Sequence, residues 1–112
     1  MKTTRLLFAF SLLGTAPLVR AADVTTNWAD NCASCHGKDG KGATKAGRTA
    51  GVKDLTEAEY QKTFTDEQAF TQIKNGLKDE KDKEKEKMKA FSEKLTDPEI
   101  TALVAYLRTL KK

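Results

Sequence analysis

Three side chains that can bind a cofactor fall within five consecutive residues, Cys32-Ala33-Ser34-Cys35-His36. On a helix, the residues three and four positions after Cys32 lie on the same face as Cys32, so both thiols and the imidazole point in one direction. The thiols can then add to the two vinyl groups at one edge of a porphyrin, and the imidazole can reach the iron. The spacing therefore predicts one covalently attached haem c, with Cys32 and Cys35 as thioether sites and His36 as an axial iron ligand.

Other interpretations of the same residues are weaker. A zinc site usually needs four protein ligands, whereas the whole chain holds two cysteines and one histidine. A thioredoxin-like redox pair requires a preceding strand and a βαβ context, and no strand pattern precedes Cys32. A disulfide between Cys32 and Cys35 is possible in an oxidising compartment, but it would leave His36 without a role.

The second axial position of the iron has one candidate in the mature chain, Met88. His36 is the only histidine, and Met1 belongs to a segment that we expect to be removed. A thioether sulfur favours ferrous iron, and His/Met ligation raises the reduction potential. The alternative is that Met88 is an apolar filler, although it lies in the most charged part of the chain. The iron is therefore ligated by His36 and Met88, or it is open on one side.

The N-terminus has the layout of a secretory signal peptide. A basic start at Lys2 and Arg5 precedes a short apolar run, and Val19-Arg20-Ala21 offers a cleavage site. A membrane anchor is the alternative, but a spanning helix needs about 20 apolar residues. We therefore predict a secretory signal peptide at residues 1–21 and a single exported, periplasmic domain at residues 22–112, with no membrane span.

Loss of the signal changes the charge balance of the chain. Removing its three basic residues from the 20 in the sequence leaves 17, against 16 acidic residues. No basic stripe interleaved with aromatic residues is present, so nucleic-acid binding is not expected. A domain of this size buries only a modest core, and a large apolar cofactor would enlarge it.

Apolar spacing and capping signals predict short helices separated by polar loops. One helix is expected over residues 24–35 and a short one near residues 57–62. Capping boxes at Thr65 and Thr96 predict two more helices. The first of these would end at Gly76 and bury Ala69, Phe70 and Ile73, and the second would bury Ile100, Leu103, Val104 and Leu107.

Two segments are predicted to lack regular structure. Residues 37–51 contain five glycines, which indicates a loop rather than a helix or strand. Residues 78–89 alternate lysines and acids, which is typical of a solvated, mobile loop or a frayed helix extension.

Four segments together resemble the short monohaem group of class I bacterial cytochromes c, over essentially all of the mature domain. They are Asn31–Gly37, Gly37–Gly42, Met88-Lys89-Ala90-Phe91 and Leu103–Arg108. The resemblance implies a fold that is all-α, a small cytochrome c fold of three to five short helices around one covalently bound haem, at residues 22–112.

The resemblance also assigns roles to single residues. It implies thioethers at Cys32 and Cys35 and axial ligation by His36 and Met88. It places Trp28 and Tyr106 where the first and last helices pack crosswise.

Two positions depart from the family pattern. Lys89 stands where the family often has proline after the methionine, which leaves the loop without that source of rigidity. The carbonyl that accepts the N–H of His36 is expected at Lys45 or Ala46, in a region where the family often carries a proline.

These features predict a soluble periplasmic carrier of one electron, not an enzyme and without catalytic residues. The alternative is a ligand-binding or sensor haem c protein with a weak or absent methionine ligand. Peroxide chemistry is disfavoured because no second histidine can act as a distal acid–base group. The expected partners are redox proteins, namely membrane or periplasmic oxidoreductases, and a monomer is expected. Lysines near the haem edge could steer an acidic partner: Lys38, Lys41, Lys45, Lys85, Lys87 and Lys89.

Overall fold

The structure is a computed structural model that describes residue 14 and residues 23–112. The predicted signal peptide at residues 1–21 and its cleavage site therefore lie outside the described residues, apart from Gly14. Among the residues that are described, no helix is both long enough and apolar enough to cross a membrane.

Residues 23–112 form short helices joined by loops, with one small β-hairpin. The elements are α1 (Val24–Asn31), α2 (Ala33–His36), α3 (Lys45–Ala50), α4 (Ala58–Gln61), α5 (Asp66–Asn75), β1 (Leu77–Lys78), β2 (Glu86–Met88) and α6 (Asp97–Thr109). This arrangement confirms the predicted all-α class. The described region has six helical segments rather than three to five, because α2 and α4 are single turns of four residues each.

The two longest helices begin at the capping boxes that the sequence predicts. The Thr65 side chain accepts from the Gln68 amide while the Gln68 side chain accepts from the Thr65 amide, and Thr96 and Glu99 do the same at α6. These reciprocal bonds satisfy amides that a helix start leaves unpaired. Gly76 ends α5, as predicted.

The core forms where α6 crosses α1 and α5. Ile100 and Leu103 of α6 are almost fully buried, and Val104 and Leu107 lie on the same face. Each such side chain contributes roughly 1.5–3 kcal/mol when fully buried. α6 meets α1 through Trp28 and Tyr106, whose ring centroids lie 5.3 Å apart. The predicted contact of the first and last helices through these two aromatic rings is therefore present.

The prediction of a loop over residues 37–51 is wrong for its last part, where α3 forms. Thr44 caps this helix by accepting from the Gly47 amide. Gly47 sits inside α3 because the helix packs backbone to backbone against its neighbours. A Cβ at Gly47 would collide with the Cys35 carbonyl and lie 2.6 Å from the Gly42 carbonyl. This glycine marks a close approach between segments rather than a turn.

The charged segment after α5 is a hairpin, not a structureless loop or a helix extension. β1 pairs antiparallel with β2, with Leu77 opposite Met88 and Lys78 opposite Glu86. The Asp79 side chain accepts amide hydrogen bonds within the intervening turn. The strands have two and three residues and mostly exposed side chains, so the sequence has no alternation of apolar and polar residues that would predict them.

Candidate haem site

The cysteine motif lies at the junction of two helices. Cys32 is the last cap of α1, and α2 begins at the next residue. The His36 amide donates to the Cys32 carbonyl at 2.9 Å, which winds the five residues into one turn. Cys32 is buried, Cys35 is partly exposed, and both thiols are free. The structure therefore brings together three residues that the sequence singled out.

The state of the Cys32 thiol argues against a redox pair. Burial raises the pKa of Cys32 to about 11, so the thiol stays protonated at neutral pH. Reactive cysteines in Cys-x-x-Cys motifs have lowered pKa values, because the thiolate is the nucleophile. Residues 23–112 also contain no group of three or more His, Cys, Asp or Glu residues able to hold a metal ion. Neither rival interpretation finds support.

The His36 imidazole is prepared to bind a group that the polypeptide does not supply. Burial lowers its pKa, so the ring is neutral and carries a lone pair. Its Nδ1 atom is buried without a hydrogen-bond partner, and the expected donation to the carbonyl of Lys45 or Ala46 is not formed. An unpaired buried nitrogen costs about 1–3 kcal/mol. The ring itself lines both cavities beside the motif, where a bound group can reach it, so it fits a ligand to haem iron.

Bonds from two neighbouring elements fix the end of α2. The Trp28 indole donates to the Gly37 carbonyl at 3.0 Å in a buried position. The Thr44 hydroxyl lies 2.8 Å from the Ser34 carbonyl and 3.0 Å from the Cys35 carbonyl. These contacts hold the haem motif against α1 and α3. The role of Thr44 was not predicted from the sequence, although hydroxyl residues are preferred helix caps.

Two adjoining cavities lie beside the motif and share part of their walls. Their volumes are about 160 Å³ and about 530 Å³, and the larger one lies within the range of cofactor-binding pockets. The shared wall consists of Cys32, His36, Leu55, Tyr60, Gln72 and Met88. The smaller cavity is otherwise lined largely by apolar side chains from α1, α5 and α6. Both predicted axial ligands therefore line the same crevice.

Met88 is the last residue of β2 and is half-buried. Its sulfur lies 3.8 Å from the Nε2 atom of Gln72 on α5, which donates towards it. Gln72 is a site residue that the sequence did not reveal, because a single polar residue on a helix surface carries no signal of its own. Gln72 lines the crevice because α5 packs beside the hairpin that carries Met88.

The predicted lysines divide between two surfaces. Lys87 and Lys89 line the larger cavity together with Lys53 and Lys94. Lys45, Lys85 and Lys87 instead line a separate groove between α3 and the hairpin. Lys38 and Lys41 are exposed on the loop that follows α2. The lysines thus do not form one ring, and only some of them adjoin the crevice.

Comparisons with known proteins show the family to which the chain belongs. The family model described as Cytochrome c matches residues 21–111. Among solved structures, the KustC0563 c-type cytochrome is 36% identical, with a TM-score of 0.70, covering 80% of this chain and 99% of that chain. A point mutant of Kustc0563 is 35% identical, with a TM-score of 0.67 and the same coverage of both chains. No curated protein matches.

Proposed function

This chain belongs to the cytochrome c family of haem c electron-transfer proteins, and from that premise we propose that it is an exported, periplasmic carrier of single electrons. Its cofactor is one covalently bound haem c, which suits a domain of this length. Bound haem supplies the Fe(III)/Fe(II) couple. The part of the chain is to attach the haem, to choose the axial ligands and to shield the iron from water.

In this proposal Cys32 and Cys35 form the thioethers, and His36 and Met88 ligate the iron. One observation carries it: a neutral histidine beside the two cysteines lines the same crevice as the sole methionine of residues 22–112. Covalent attachment keeps the haem in place between encounters with different partners. With His36 and Met88 both holding the iron, no position would remain open for small molecules, which would favour electron transfer.

The walls of the crevice tune the iron by excluding water. Trp28, Leu103 and Leu107 are buried and line the smaller cavity. A low-dielectric surrounding disfavours the state with the higher net charge, so it raises the reduction potential in the same direction as a methionine ligand. No general acid or base is assigned in this mechanism, because electron transfer makes and breaks no bond in a substrate.

The partners that we propose are redox proteins with an acidic docking surface. Four lysines line the larger cavity, Lys53, Lys87, Lys89 and Lys94, against the acids Asp30 and Glu86. This local excess of positive charge would steer an acidic partner towards the open side of the crevice. The association rate should then fall as the ionic strength rises.

The test of the ligand set is the visible spectrum of the ferric holoprotein, with and without the substitution Met88→Ala. A sulfur-to-iron charge-transfer band should be present in the wild type and absent from the variant. Ferrous wild type should bind carbon monoxide poorly, and the variant should bind it readily. If wild-type ferrous protein binds carbon monoxide readily, the chain is instead a ligand-binding or sensor haem protein.

The export that we propose has its own test. The intact mass of protein secreted to the periplasm should correspond to residues 22–112 plus one haem. A mass that retains residues 1–21 would contradict removal of the signal and favour an N-terminal anchor.

A further inference from the structure

The segment that carries Met88 has no proline to stiffen it, yet its backbone is held on both sides. The residue after Met88 is Lys89, and the chain then runs through Ala90 to Phe91. We infer that the C-terminal end of α5, through Gly76, positions the Met88 sulfur and replaces the missing proline. This inference rests on the proposed His36/Met88 ligation. It assigns Gly76 as a positioning residue that does not itself touch the haem.

The first anchor is the pairing of β2, which ends at Met88, with β1. Leu77 follows Gly76 directly and lies opposite Met88 in the hairpin. Because β1 begins as soon as α5 is capped, the position of β2 depends on the direction in which the chain leaves the helix. That direction is set by the backbone angles of Gly76.

The second anchor lies after Met88. The Phe91 amide donates to the Ile73 carbonyl at 3.0 Å, and the Ser92 amide donates to the Lys74 carbonyl at 3.2 Å. These carbonyls belong to the last turn of α5, where no intrahelical amide can reach them. The chain that leaves Met88 therefore completes the end of α5. Phe91 and Ile73 are both 6% exposed, so apolar burial supports the two bonds.

Gly76 is the residue that permits both anchors to form. Its φ is +77° and its ψ is −176°, a region that only glycine adopts readily. A Cβ at this position would lie 2.5 Å from the Met88 carbonyl oxygen, 2.8 Å from the Ala90 nitrogen and 3.0 Å from the Lys89 carbonyl carbon. All three are backbone atoms and cannot rotate away. Any side chain must therefore displace the Met88 segment from α5.

The same end of α5 also contacts the sulfur directly. Gln72 lies four residues before Gly76, and such residues are neighbours on one helical face. Its Nε2 atom is 3.8 Å from the Met88 sulfur. One face of α5 thus contacts both the backbone beside Met88 and its thioether.

The experiment compares Gly76→Ala with Gly51→Ala in the haem-loaded protein. Gly51 is a suitable control because it also ends a helix with positive φ, and a Cβ there meets no atom within 4 Å. Gly76→Ala should lose most of the sulfur-to-iron charge-transfer band and bind carbon monoxide in the ferrous state. Gly51→Ala should keep the band. If Gly76→Ala keeps the full band, or if both variants lose it equally, the inference is overturned.

A second measurement on the wild type does not depend on how well a variant folds. Hydrogen exchange of the Phe91 and Ser92 amides should be as slow as that of the α5 amides. Exchange as fast as that of the amides of the exposed residues Glu80 and Lys83 would show that the anchors are open, and would refute the inference. Failure of the ligation itself gives a different result, because the wild type would then lack the band and Met88→Ala would change nothing.

Discussion

Arg108 is predicted to stabilise one wall of the haem crevice by joining α6 to the segment from Gln61 to Asp66, and its removal should destabilise the protein strongly. Its guanidinium donates to the Gln61 and Phe64 carbonyls and to the Asp66 carboxylate. Its central carbon lies 4.4 Å from the centroid of the Phe64 ring. Since Phe64 lines the smaller cavity, Arg108 links α6 to the loop that forms part of the crevice wall.

The size of the effect follows from how exposed each contact is. The Asp66 side chain is 74% exposed, so its ion pair contributes about 0–1 kcal/mol. The two carbonyls are partly buried, and a charged donor to such a group contributes about 1.5–3 kcal/mol. The cation–π contact adds about 0.5–1 kcal/mol. Because such contributions are not additive, we expect Arg108→Ala to cost about 3 kcal/mol.

Thermal unfolding of the haem-loaded protein provides the assay. A loss of about 3 kcal/mol corresponds to a fall in Tm of roughly 12–24 °C for a domain of this size. Asp66→Asn is the matched control, and it should cost less than about 1 kcal/mol. If Asp66→Asn lowers the Tm as much as Arg108→Ala does, the ion pair dominates and the reasoning from buried carbonyls is wrong.

Two further predictions concern the support of the haem motif and the response to acid. Gly47→Ala places a Cβ against the Cys35 carbonyl, so α3 must move away from α2. Overpacking of this kind costs about 1–3 kcal/mol, and calorimetry should therefore show a lower Tm for Gly47→Ala than for Gly51→Ala. Hydrogen bonds from the Thr56 side chain and amide lower the pKa of Asp54 below its ordinary value of 3.8. The ionised carboxylate therefore stabilises the fold above pH 3.8, and this stabilisation is lost as the pH falls through the lowered pKa of Asp54. The Tm of Asp54→Asn should therefore vary less than that of the wild type below about pH 4, and an unchanged acid profile would contradict this.

The parts of the site that the sequence predicted are those encoded over a few residues. The spacing of Cys32, Cys35 and His36 fixes their common side within one helical turn, wherever that turn packs. The capping boxes at Thr65 and Thr96 are equally local, and both form. Such patterns can be read without knowledge of the rest of the chain.

The parts that the sequence did not predict depend on contacts between distant segments. Gly47 indicates a loop by its type, yet it lies in a helix because a neighbouring backbone comes close. The hairpin before Met88 joins two very short strands through their backbones, so their side chains carry no pattern. The contact of Gln72 with the Met88 sulfur likewise exists only because α5 and the hairpin pack together.

The resemblance to cytochromes c predicted one of these contacts between distant segments. It placed Trp28 and Tyr106 at the crossing of the first and last helices, which neither residue shows by itself, and the structure has them in contact there. It gave no information on how the Met88 segment is held without a proline, because this chain departs from the family at that point.

The most direct test of the central claim is a potentiometric titration of the haem-loaded protein, followed by its visible spectrum. A carrier with one haem and two protein ligands should give a single reversible step with a slope of about 59 mV per tenfold change in the ratio of oxidised to reduced protein. The reductive and oxidative curves should coincide, and carbon monoxide should not shift the midpoint. A step that shifts strongly under carbon monoxide, or that differs between the two directions, would contradict the account of a six-coordinate one-electron carrier.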